Sequence, residues 1–156
     1  MRKDCKKYAN QLTGMLMMNR PLSLPYLLLI FALCFAGCST AEKYAANQAS
    51  TKSWLESKAG AARIRVDGAW EALEYGWGGP GRFEQKGNRI TGALGNYTVN
   101  GVVNGSTVYL AFISNGWTYY TAVLKMRNGM LGGFYSSSIP FSEHDQGSLT
   151  LRKIGS

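Results

Sequence analysis

A chain of 156 residues, 46% hydrophobic and 17% charged, is long enough to bury one core and too short for two full domains. Its 17 Lys and Arg against nine Asp and Glu give a net charge of +8, yet five of those cations and one carboxylate fall in the first 37 residues, leaving +4 on the rest. Those remaining cations are scattered in the sequence, which excludes the basic tract of a nucleic-acid binder, and the absence of any cysteine after residue 38 excludes disulfides, thiolate metal sites and thiol nucleophiles there.

The chain opens with Arg2, Lys3, Lys6, Lys7 and Arg20, followed by an apolar run from Tyr26 to Cys38. A basic segment, an apolar stretch of about 12 residues and small residues before a cut form the three-part layout of a secretory signal. That stretch is too short to span a bilayer, which needs about 20 residues. Met15, Met17 and Met18 are alternative starts to Met1.

Phe35, Ala36, Gly37 and Cys38 resemble the lipobox of bacterial lipoproteins, with Phe where Leu is commonest. The resemblance implies a diacylglyceryl group on Cys38, removal of residues 1–37 and attachment to the membrane through that lipid. Ser39 after the cysteine resembles the outer-membrane sorting pattern of enteric bacteria, which implies an outer-membrane location facing the periplasm.

Residues 38–62, rich in Ala, Ser, Lys and Gln, read as a lipid-anchored tether reaching ~25 to 30 Å. Within it, Ser53 and Glu56 have capping-box spacing, so a short helix is expected near 50–59, with Gly60 as its stop.

Residues 63–156 read as an all-β domain. Three Asn-Gly pairs (104–105, 115–116 and 128–129), with Gly87-Asn88 and Gly95-Asn96, separate runs rich in Val, Tyr, Phe, Leu and Thr. Asn-Gly suits a type I′ hairpin because both central residues need positive φ. The expected strands are about 65–73, 81–86, 89–94, 97–103, 107–113, 117–126, 130–136 and 147–154. The 107–113 run is apolar on both faces, so its outer face should also be covered. Eight short strands with no helix among them favour an antiparallel up-and-down meander closed into a small barrel, since closure removes exposed edges. A transmembrane barrel is excluded by strand length and by Arg82, Glu84 and Arg89, which would face lipid.

Gly68-Ala69-Trp70 on the first strand and Arg152 near the end of the last resemble the signature of the calycins: lipocalins, fatty-acid-binding proteins and avidins. The spacing of Phe83, Gln85, Gly87, Ile90 and Gly92, then Val99, Gly101, Val103 and Gly105, then Leu131, Gly133, Tyr135, Leu149 and Leu151, is similar to small lipocalin-like barrels of exported bacterial proteins. The resemblance implies that Trp70 closes the barrel base and that Arg152 packs across its ring. It carries over no ligand-binding residues.

The chemistry points to binding rather than catalysis. His144, the single histidine, stands between Glu143 and Asp145 in a loop, which suits a solvated turn better than a metal site or a triad. No catalytic residue, metal or cofactor is expected. Tyr75 and Trp77, on the Gly-rich connection 75–81, and Trp117 with Tyr119, on the outer parity of their strand, are candidate contacts for a small apolar or sugar ligand or an envelope protein. Inward Tyr97, Tyr120, Leu124 and Met126 favour a filled or narrow interior. The function expected is a membrane-anchored binding or structural module. An inhibitor of a cell-wall hydrolase such as lysozyme is the alternative, on a resemblance of Ser114–Tyr119 to the inhibitors' loop, and an enzyme using His144 is a remote one.

Overall fold

The computed structural model describes the backbone of residues 24–155 and the side chains of residues 40–155. The expected signal segment and the Cys38 side chain therefore lie outside the described residues, apart from helical backbone from residue 24 onward. The chain divides into two compact units, Met1–Ser39 and Thr40–Ser156, and the second holds every strand.

Among the described residues, eight strands follow one helix, α1 (Leu24–Lys58). They are β1 (Gly68–Ala72), β2 (Gly81–Lys86), β3 (Arg89–Leu94), β4 (Tyr97–Asn104), β5 (Thr107–Ser114), β6 (Trp117–Arg127), β7 (Met130–Ser136) and β8 (Gln146–Ile154). Each pairs antiparallel with the next, and β8 returns to β1, closing the barrel. Period-two alternation sends Phe83, Ile90, Leu94, Val99, Leu110, Phe112, Leu124, Leu149 and Leu151 inward, where they form one buried cluster. The first strand is shorter than expected, because residues 64–67 cross the end of the barrel instead of joining the sheet.

Two hairpins have the backbone their sequences require: Asn115 and Gly116 have φ of 49° and 76°, and Asn128 and Gly129 have 50° and 77°. At the third pair, Asn104 stays in β4 opposite Thr107, and the turn falls on Gly105 and Ser106. Gly105 is held there by its N–H donating to Ala61 O (2.7 Å) and its carbonyl accepting from Arg63 N (2.9 Å).

The meander gives the barrel two distinct ends. The lower end carries the crossing segment 59–67, the turns at 87–88, 105–106 and 128–129, and the end of β8. The upper end carries the loops 73–80 and 137–145 and the turns at 95–96 and 115–116.

Residues 40–58, expected to be mostly tether, are helical throughout and lie against the barrel. Ala, Glu, Lys and Gln favour helix, and Tyr44, Asn47, Thr51, Trp54 and Leu55 recur at the three-to-four-residue spacing of one helical face. Trp54 and Leu55 are buried against Val102 and Ala111, with Tyr109, Val123 and Phe141 at the margin. Trp54 meets the Tyr109 ring edge-on at 6.1 Å. Burying a side chain of this size contributes roughly 1.5 to 3 kcal/mol. The outer face of β5 is thus covered, as its two apolar faces required.

Candidate functional site

At the upper end, the Gly-rich loop separates its two aromatic residues. Tyr75 is fully exposed, whereas Trp77 is only 7% exposed and enters the mouth of the barrel. Its ring centroid lies 4.8 Å from that of Phe112, 5.1 Å from Tyr135, 5.6 Å from Tyr120 and 6.1 Å from Tyr97. Trp77, a candidate ligand or partner contact, therefore has its indole packed inside the mouth, because burying a large indole among rings outweighs leaving it in water. Gly95, at φ 52°, makes the approach possible, since a Cβ there would lie 1.9 Å from the Trp77 carbonyl oxygen. Burial, then the neighbouring Tyr120, pushes the Tyr97 phenol above its ordinary value.

Trp117 and Tyr119 do not share one outer patch. A bulge shifts the register from Phe112 opposite Tyr120 to Ile113 opposite Thr118, so Tyr119 falls between pairs and strict alternation ends there. Trp117 is half-buried, with Tyr44 of α1 edge-on at 5.2 Å, while Tyr119 is exposed. The rest of Ser114–Tyr119 is also tied to α1, by Gln48 Nε2 donating to Gly116 O and by the Asn47 amide on Thr118.

At the lower end, Trp70 is buried and its Nε1 donates to Val66 O at 2.8 Å. The cation above its ring is Lys153, with Nζ 5.9 Å from the centroid, and not Arg152. Register explains the exchange: Trp70 stands opposite Lys153, and Glu71 stands opposite Arg152. Arg152 points outward and forms an ion pair with Glu71. Gly68, at φ 120°, leaves space for the lysine, because a Cβ there would lie 2.8 Å from Lys153 Cε. The trio at this end is Gly68, Trp70 and Lys153, and the parity of Leu149 and Leu151 extended by two residues is the signal that points to it.

Gln85 was not recognisable as a site residue. It is inward-facing and buried; its Oε1 accepts from Val66 N (2.8 Å), and its Nε2 donates to Ile64 O (3.1 Å) and Gly87 O (2.9 Å). One side-chain amide thereby satisfies the irregular backbone that crosses the lower end. The Gln85 N–H donates to Asp67 Oδ1 at 2.8 Å and holds that carboxyl below its ordinary value against a smaller effect of burial, with Arg65 adding to the depression.

Depressions mark the outside of the described residues. One of about 500 Å³ runs between α1 and β3–β5, lined by residues including Thr51, Leu55, Arg89, Asn100 and Val102. Another, about 740 Å³, lies over β6–β8 beside Lys125, Gly132, Phe134 and Phe141. His144 is exposed, its backbone N–H donating to Ser142 Oγ, while Asp145 accepts hydrogen bonds from Ser137 and Ser138. Among the described residues no three His, Cys, Asp or Glu side chains gather as a metal site, and no helix is long and apolar enough to cross a membrane.

What these features define is a small antiparallel barrel, plugged by an indole at each end and strapped by a helix on its outer face. The chain matches no protein-family model, and no curated protein or solved structure matches it.

Proposed function

We propose that the chain is an envelope lipoprotein, acylated on Cys38 and held in the outer membrane facing the periplasm, whose barrel is a non-catalytic module that acts through its outer surface. The observation that carries the barrel half of this reading is the Trp77 plug, which fills the mouth where a barrel carrier admits its ligand. The anchor half is supported by the apolar run ending in Phe35-Ala36-Gly37-Cys38. With Asn47 and Gln48 holding the Ser114–Tyr119 hairpin, no observation favours the hydrolase-inhibitor alternative.

Cells fed an alkyne-tagged palmitate test the anchor: the label should enter the wild-type chain and be lost in Cys38→Ser, and an unlabelled wild type rejects it. Small apolar ligands and sugars should leave the melting temperature and tryptophan emission unchanged. A ligand that shifts both and protects the interior would make the barrel a carrier.

A further inference from the structure

The cations that look scattered in the sequence converge in the fold. Arg63 and Arg65 lie on the segment crossing the lower end, Lys86 and Arg89 flank the turn at 87–88, Arg127 precedes the turn at 128–129, and Lys153 lies next to the end of β8. Of the carboxylates toward this end, Asp67 and Glu71 are held by Arg65 and Arg152, while Glu84 shares the outer face of β2 with Lys86 and Glu56 lines one depression with Arg89. Among the described residues, Arg63, Lys86, Arg89 and Arg127 enter no ion pair, and all four are exposed. Lys86 and Arg89 stand directly opposite each other, an arrangement of like charges that weakens a strand pair and that a bound anion would relieve.

Toward the upper end the charges are mixed: Glu42, Glu74 and Asp145 lie there with Lys43 and Arg82, and Glu143 borders one depression with Lys125 and Arg127. The excess of positive charge therefore lies toward the lower end.

Connectivity says which end faces a membrane. The docked part of α1 meets the upper end through Tyr44 on Trp117 and Gln48 on Gly116. Cys38 precedes Thr40 by two residues, so its Cα is at most about 7.6 Å from that of Thr40. A lipid on Cys38 would tie the upper end to the bilayer and turn the basic lower end away from it.

We propose that the basic lower end is a docking face for the cell-wall peptide–glycan mesh, whose stem peptides present repeated carboxylates. The inference rests on the lipid-anchor reading for the direction in which that end points. Exposed cations spread over separate turns suit an extended polyanion better than a small molecule, and the long-range attraction they create is the kind that salt screens.

The full chain in detergent, mixed with purified wall sacculi and sedimented, tests this. It should pellet at about 0.1 M salt and be released at about 1 M, as the screening length falls from ~10 to ~3 Å. Combined Lys86→Gln, Arg89→Gln and Arg127→Gln should lower retention about tenfold at a melting temperature no lower than that of wild type, while Lys43→Gln with Lys52→Gln should leave retention as it was. A wild type that stays in the supernatant at low salt, or a triple variant that binds like wild type, overturns the proposal. Binding through the same residues to phosphatidylglycerol vesicles but not to sacculi also overturns it and assigns the face to lipid. The palmitate label separates the two readings: a labelled chain that ignores sacculi loses only the docking face, and an unlabelled chain that binds them loses only the anchor.

Discussion

The Asn47 side-chain amide takes both backbone groups of Thr118: its Nδ2 donates to the carbonyl at 3.2 Å, and its Oδ1 accepts from the N–H at 2.9 Å. β7 pairs with β6 only from Thr121 onward, so the upper residues of β6 have no strand on that side. An amide on a helix stands in for the missing strand, and Thr51 adds a bond from its Oγ1 to Thr118 Oγ1 at 2.8 Å. Asn47→Ala leaves both backbone groups without partners and should cost about 1 to 3 kcal/mol, read from the urea midpoint. Asn47→Asp, which keeps the acceptor but sets a carboxylate oxygen against the Thr118 carbonyl, should cost at least as much.

Trp77→Ala should destabilise by about 3 to 5 kcal/mol, as expected for removing a buried large aromatic, and should open the upper mouth. Uptake of a small apolar fluorophore by this variant alone is the accompanying sign. Tyr75→Ala, two residues away and in water, should stay within ~0.5 kcal/mol of wild type.

Lys153→Gln should lower stability by about 0.5 to 1 kcal/mol through loss of the cation above the Trp70 ring and shift the tryptophan emission. Arg152→Gln removes an ion pair exposed on its arginine side, worth about 0 to 1 kcal/mol, and should leave the emission alone. Gly68→Ala, forced into positive φ against Lys153, should cost about 1 to 3 kcal/mol.

Stability should fall at both extremes of pH for different reasons. Asp67 has a lowered pKa when folded, so its contribution is present above the ordinary carboxylate value of about 3.9 and disappears as pH drops through the lower folded value. Tyr97 holds its proton more tightly when folded. Above about pH 10 the unfolded chain releases that proton first, so rising pH favours unfolding. Asp67→Asn should flatten the acid limb of a stability–pH curve, and Tyr97→Phe the alkaline limb.

The barrel was readable because Asn-Gly turns and strict alternation are local signals, and β5 even announced its covered outer face through its two apolar sides. The helix strap was readable only in its last turns, where Ser53 and Glu56 predict a short helix near 50–59. Asn47, Gln48 and Thr51 look like linker residues in a sequence, and their docking role depends on Thr118, about 70 residues away, lying beyond the edge of β7. Trp77 was equally hidden, since a loop indole turns inward only if the far side of the barrel leaves room for it. The cation on Trp70 was misassigned by one residue, which in a strand is the difference between inside and outside.

Closure of β8 on β1 sets the order of events in synthesis. Glu71 and Arg152 are 81 residues apart in sequence and adjacent in the sheet, so the closing stave is made long after the one it joins. Until then β1 and β7 each present an open edge, the kind of surface on which one chain adds to another. Contacts of such long range also make folding slow. A nascent chain of this protein therefore cannot close its barrel until β8 has been made, which leaves the first strand waiting through most of the domain's synthesis.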